Sequence, residues 1–329
     1  MTYPVDGIWL TMNDLYSDCN GYCSPYDIVG TQIPEADLEH QIGYIPGDER
    51  LDTHSLDLNA KYSEGTEFVI HNKFPLSQAE ATAAYYAGKQ QRGFVMSSSS
   101  ISGQGRHGSS YSGDNHSKLA DMEQSIHDSY LANIYGMPFH GSDVCGYFDD
   151  ATVDLCTRWY LLAASQPFSR NANFKGQTTQ SPYTADYQVP SGAEGSLTYE
   201  QVIKVAMRMK YNFLRYTISF FHGIHTTGGA YFKPMFFKYP NNANAYQDIT
   251  KNIMLGDSLK FSFDPTTLDF ETTTTSQFYF PEGKWCQVFP IVAGKNPCFE
   301  VTEPNHYETM PLSIDAAYLH MKEGSIVPF

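Results

Sequence analysis

The sequence predicts two architectures in series: a parallel β/α unit, followed by an all-β domain. Strand-like runs, loops and helical patterns alternate as far as residue 243, the signature of strands joined by helical crossovers. From residue 250 the texture changes to short β-rich runs separated by Thr and Gly turns. Hydrophobic residues make up 41% of the 329, enough for a sizeable core, which excludes wholesale disorder.

Residues 5–13, VDGIWLTMN, alternate apolar and polar positions and read as a strand entering a loop. Residues 15–65, rich in Gly, Pro, Asp, Asn and Tyr, read as a long excursion. An Ala-rich pattern over 77–90 predicts a helix, with Ser77 a candidate N-cap. A strand follows at 93–100 and runs into SSSSISGQGRHGSSYSGDN, which has linker composition but also suits a loop at a barrel rim. Next come a helix over 117–134, a strand at 137–143, an amphipathic helix over 151–165 and a strand at 166–170. Thr198 and Gln201 form a capping box that opens a helix of about 25 residues, running through His222. The segment 230–237 is a fifth strand, and LKFSF, SQFYF, WCQVF and CFEV are strands of the all-β domain. Five parallel strands cannot close a barrel of eight, so two edges would be left bare.

The chain carries 21 basic against 36 acidic residues, a net charge of -15, which repels phosphate backbones and argues against a nucleic-acid binder. No apolar run approaches the roughly 20 residues of a membrane span. The first residues, MTYPV, have neither a basic nor an apolar signal region. Six cysteines fall in three close pairs, Cys19 with Cys23, Cys145 with Cys156 and Cys286 with Cys298. Such pairing suits disulfides and a secretory compartment; a zinc site, or simple buried thiols, are the weaker readings. Secretory chemistry without a signal makes the chain read as a fragment or processed piece. The 11 histidines lack metal-ligand spacing, and no phosphate loop or dinucleotide fingerprint appears, so no cofactor is expected.

Several segments, in order, resemble glycoside hydrolase family 31, the α-glucosidase group. DGIWLTMND is similar to that family's strand bearing the nucleophile, and GYIPGDERLDTHSLDLNAKY with VIHNKFPLSQAEAT to the segment joining barrel strands four and five. SGDNHS resembles the acid/base loop, PFHGSDVCGYFDDATVDLCTRW with PFSRNAN strands six and seven, and GGAYFKPMFFKYP strand eight. SQFYFPEGKW and LHMKEGSIVP resemble the following β-sandwich. The resemblance implies a partial (β/α)8 TIM barrel, strands four to eight, over residues 1–247 and a β-sandwich over 248–329. It also implies a partner polypeptide supplying strands one to three and the N-terminal β-domain.

Retaining glycosidases of this kind use two carboxylates about 5–5.5 Å apart. The family's nucleophile motif is W-I-D-M-N-E; this chain reads Trp9-Leu10-Thr11-Met12-Asn13-Asp14, so Thr11 stands at the nucleophile. A threonine with no adjacent base cannot form a glycosyl ester. On a continuing strand, Asp14 would point to the opposite face from residue 11, which argues against it as a substitute. Asp114, in Ser112-Gly113-Asp114-Asn115, stands at the acid/base position, and it also suits an N-cap for the next helix. Ser98 replaces the sugar-gripping Arg of the family's R-S-T, and Ala172 in Arg170-Asn171-Ala172-Asn173 replaces the His of R-N-H-N. Trp9, Met12, Asp143 and Tyr147 match residues lining the family's sugar site, and Tyr111 stands where it usually has Trp.

The resemblance further implies a Cys145–Cys156 disulfide; Cys286 and Cys298 suit a bridge between two β-domain strands, and Asn115-His116-Ser117 is a glycosylation sequon. The expected function is that of an inactive α-glucosidase-like subunit in a secreted, extracellular or lumenal assembly. A carbohydrate-binding subunit taking α-glucan or a glucoside, and an active α-glucosidase with a non-standard nucleophile, are the alternatives.

Overall fold

The computed structural model describes residues 5–17, 20–21, 53–192, 195–290 and 297–329. The Cys19 and Cys23 pairing, and most of the excursion, lie outside the described residues. The chain forms two compact units, Met1–Gly108 and Ser109–Phe329.

In the first unit, β1 (Gly7–Leu10) lies parallel to β2 (Phe94–Ser97), with Gly7 opposite Phe94 and Leu10 opposite Ser97. Between them in sequence runs α1 (Phe74–Gly88). Ala79, Ala83 and Tyr86 recur at helical spacing and pack on Ile8, Leu10 and Val95, forming a small core. Gly93 is required there, because a Cβ would collide with the Tyr86 ring. The helix starts three residues before the expected Ser77 cap. Pro75 sits in its first turn, where a missing N–H costs nothing, and the Ser77 N–H already donates to the Lys73 carbonyl at 3.1 Å.

The second unit begins its β/α alternation with α2 (Leu119–Ile134), then β3 (Gly141–Val144), α3 (Val153–Ala163) and β4 (Phe168–Asn171). β3 and β4 pair in parallel, Gly141 opposite Phe168 through Val144 opposite Asn171. Thr152 caps α3 by accepting from the Leu155 N–H at 3.2 Å. The capping box forms as expected: Thr198 accepts from the Gln201 N–H and Gln201 from the Thr198 N–H. The long helix it opens is broken, however, into α4 (Tyr199–Asn212) and α5 (Leu214–Thr227) at Phe213.

The segment expected as strand eight forms β5 (Phe232–Pro234), and among the described residues its ladder partner is β6 (Asn252–Leu255), running antiparallel. Pro234 has no N–H to extend the ladder, and the chain turns at Met235–Phe237, where Phe236 stacks on Tyr246 at 4.8 Å rather than lying bare.

β6 continues into β7 (Leu259–Ser262), and the remaining strands are β8 (Thr275–Phe280), β9 (Gly283–Phe289), β10 (Cys298–Val301), β11 (His306–Pro311) and β12 (Tyr318–Lys322). Six of them make one antiparallel sheet, in the order β10, β9, β12, β7, β6, β5. β8 and β11 pair separately, and Phe278, Phe280, Trp285, Met254 and Val301 form a buried cluster. All four β-rich runs picked out in the sequence are strands. Cys145–Cys156 and Cys286–Cys298 are both disulfides, the second joining paired residues of β9 and β10.

Candidate active site

In the first unit β1 ends at Leu10, leaving Thr11 exposed at its carboxyl end. Met12 is 84% exposed and turns the chain with φ 49, a left-handed conformation uncommon for a residue with a side chain. Asn13 is buried: its Nδ2 donates to Ser97 Oγ at 2.7 Å, and its Oδ1 accepts from Ser98 Oγ and the Ser99 N–H, each at 3.0 Å. Ser98, which by resemblance matches the family's sugar-gripping arginine, thus spends its hydroxyl on the chain itself. Because the strand stops before the turn at Met12, face alternation does not govern Asp14. That residue lines a polar cavity of about 440 Å³ with Tyr16, His54, Glu67, His71 and Ser99.

In the second unit the Ser112–Asn115 loop is fastened to β3. The Ser112 N–H donates to the Gly141 carbonyl at 3.0 Å, and the Asp143 N–H to the Ser112 carbonyl at 3.1 Å. Gly113 leaves no room for a Cβ beside the Tyr111 ring. Asp114 follows with φ 58 and an exposed side chain, while its N–H donates to the Asp143 carboxylate. The N-cap alternative for Asp114 fails, since α2 begins at Leu119 with Lys118 before it. Asn115 braces the loop: its carbonyl accepts from the Tyr147 and Phe148 N–H groups at 2.7 and 3.0 Å, and its Nδ2 donates to the Asp143 carbonyl at 3.2 Å. The carboxamide thus faces the loop through one of its two Nδ2 hydrogens.

Asp143 is fully buried on β3 and forms a bidentate pair with Arg170 Nε and Nη2 from β4. Burial pushes its carboxyl above the usual range, and the Arg170 contact pulls against that shift. The guanidinium also lies 5.3 Å from the Tyr111 ring centre and 5.8 Å from that of Tyr147. Tyr147 packs edge-on against Phe148 and Phe174, at 5.0 and 6.1 Å. Ala172 presents only a methyl between Asn171, whose Nδ2 reaches the Val144 carbonyl, and Asn173, which donates to the Thr178 carbonyl. The structure thus gathers Tyr111, Asp114, Asp143 and Tyr147 around one side chain, Arg170, which the sequence offered only as part of a motif.

No sequence motif marks His140 as part of this site. It is buried beneath the loop, its Nε2 3.3 Å from Ser112 Oγ and its Nδ1 3.1 Å from Ser129 Oγ, and burial lowers its pKa to about 4. Among the described residues no three His, Cys, Asp or Glu side chains are placed to hold a metal ion, and no helix is long and apolar enough to cross a membrane.

Residues 1–220 match the model of the glycosyl hydrolases family 31 TIM-barrel domain, and residues 228–327 that of the family 31 C-terminal domain. The lysosomal alpha-glucosidase of Mus musculus is 28% identical over 342 aligned residues, which cover 99% of this chain and 33% of that protein. Alpha-xylosidase 1 of Arabidopsis thaliana is 25% identical over 348, covering 99% of this chain and 35% of that protein. The chain thus spans about a third of the length of these relatives. Among solved structures, a Flavobacterium johnsoniae family 31 dextranase complexed with glucose superposes with a TM-score of 0.72 at 20% identity, over 98% of this chain and 35% of that one. The alpha subunit of glucosidase II does so with 0.71 at 22%, over 82% and 28%. With both family models together spanning nearly all of its length, the chain belongs to glycosyl hydrolase family 31.

Proposed function

We propose that this chain is a catalytically silent α-glucosidase-like portion of a family 31 barrel, serving a structural or interaction role. The observation that carries this reading is that residue 11, which by resemblance aligns with the family's nucleophilic carboxylate, is an exposed threonine. Asp114 keeps the acid/base position, but protonating a leaving group gives no covalent intermediate without a nucleophile opposite. By resemblance, Trp9, Met12, Tyr111, Asp143 and Tyr147 stand at positions that line the family's sugar site, and Ser98 and Ala172 at positions that grip its terminal sugar. Asp143 is committed to Arg170 and Tyr111 is buried, which favours a packing role for those two residues over sugar binding.

In assays with an aryl α-glucoside, no turnover above background is expected, and Thr11→Asp alone should not recover ordinary activity. Wild-type turnover within about tenfold of an active family member overturns the reading.

The barrel portion is assigned to residues 1–247 and the β-sandwich to 248–329. The missing strands one to three are assigned to a further polypeptide, continuous or separate, with a secreted or lumenal location matching the two disulfides. Trp9 and Phe94 are 39% and 46% exposed on β1 and β2, apolar surface of the kind such a partner would cover. Residues 1–329 produced alone should therefore aggregate or associate. A soluble monomer with one cooperative thermal transition, seen by light scattering and calorimetry, contradicts this assignment.

A further inference from the structure

A second cavity, of about 220 Å³, lies within Ser109–Phe329. Its wall is apolar, with Phe213 and Phe221 contributing from the α4–α5 break, Leu255, Leu259 and Leu319 from the antiparallel sheet, and Phe139 from the segment before β3. The break at Phe213 helps to open it: α5 restarts there, carrying Leu214 and Ile218, which line the cavity and are 41% and 60% exposed.

One cation stands in this wall. Lys210 lines the cavity, and its Nζ donates to the Ala163 carbonyl at 3.2 Å and to Ser169 Oγ at 2.9 Å. An ammonium has three donors, so one remains. Among the described residues no carboxylate forms an ion pair with it. Burial accordingly lowers the Lys210 pKa to about 8, which still leaves the amine mostly charged near neutral pH. A second polar group is also unmatched. Gln166 lines the same cavity at 1% exposure; its Nε2 reaches Ser129 Oγ at 3.1 Å, while its Oε1 has no partner.

We propose that this cavity binds a small organic acid, one carboxylate on an apolar body about the size of a single ring. Lys210 takes the carboxylate through its remaining donor, and the phenylalanine and leucine wall takes the body. A cavity of this volume is below the range that holds drug-sized ligands, and it suits roughly a dozen heavy atoms rather than a peptide segment. An uncompensated cation in an apolar wall selects an anion over a neutral molecule of the same shape. The proposal does not depend on the sugar site, so it stands or falls separately from catalytic silence.

The test is calorimetric titration of the assembled protein, this chain together with whatever polypeptide completes its barrel, with 3-phenylpropionate and with its neutral counterpart 3-phenylpropanol, near pH 6.5. The acid should bind at least about tenfold more tightly than the alcohol, a preference that shrinks above pH 8 as the amine loses its proton. Lys210→Met should bind the two alike. Ile218→Trp, a change on the exposed side that leaves the amine in place, should weaken both, and Lys210→Arg should keep the preference if the methionine variant fails to fold. Equal binding of acid and alcohol by the wild type, no binding of either, or a preference that survives Lys210→Met overturns the proposal.

Discussion

Lowering the pH from 7 to 5 is expected to cost the second unit about 4 kcal/mol of stability, about 2 from each of two buried histidines. His140 has its pKa lowered by burial to about 4, and His320 by burial and the neighbouring Lys260 to about 3. Both folded values lie below the ordinary 6.5, so the unfolded chain binds more protons throughout the interval between. The stability from holding these rings neutral is therefore full above pH 6.5 and is lost as pH falls through the window from 6.5 towards 4 and 3. Lys260 works in the same direction. It is fully buried, with Nζ on Ser262 Oγ at 2.5 Å and 4.1 Å from the Phe280 ring centre, and burial holds its pKa well below the usual lysine value. Urea unfolding of the assembled protein, followed by the emission of buried Trp159 and Trp285, measures the effect at the two pH values. His320→Gln should remove about half of the slope; equal stability at pH 7 and pH 5 contradicts the argument.

Replacing Arg158 by methionine should destabilise the second unit by roughly 3–5 kcal/mol, because several buried carbonyls lose their donor at once. Arg158 projects from α3 with no exposed surface. Its Nη1 donates to the carbonyls of Ala316 at 2.6 Å and Ser313 at 3.3 Å, and its Nη2 to that of Asp264 at 2.9 Å. The guanidinium also lies 4.2 Å from the Phe263 ring centre. Methionine keeps the volume and loses every donor. The thermal midpoint should fall by roughly 10 °C, read by calorimetry. Arg158→Lys should recover little, because a single ammonium cannot span carbonyls from two segments of the sheet region. A shift below about 2 °C in the methionine variant would show that these bonds are not what ties α3 to the sheet.

How much of this could be read in the sequence depended on whether the controlling contact was local. The Thr198–Gln201 capping box and the strands LKFSF, SQFYF, WCQVF and CFEV rest on neighbouring residues, and all form. The Ser77 cap failed on an equally local rule, since Pro75 in the first turn sets the helix start earlier. The break at Phe213 lies inside a continuous helical pattern and was not legible. At the site, motif positions such as Thr11, Ser98, Asp114 and Ala172 came from family resemblance. The Asp143–Arg170 pair spans 27 residues and Arg158 reaches a carbonyl 158 residues away. No periodicity reports contacts of that kind. Asp14 is a further case: strand parity applied to it only if β1 continued, and the turn at Met12 ends that premise.

The proposal of catalytic silence turns on Thr11 standing at the nucleophile position, and covalent trapping probes that directly. The protein, with whatever polypeptide completes its barrel, is incubated with a fluorinated α-glucosyl fluoride, a substrate whose glycosyl ester is formed faster than it is hydrolysed. Intact-mass spectrometry then reads whether a sugar has been added. An unchanged mass is predicted for the wild type, because Thr11 offers no carboxylate to esterify. A stoichiometric mass gain mapping to Asp14, or to any other carboxylate of this chain, would contradict it.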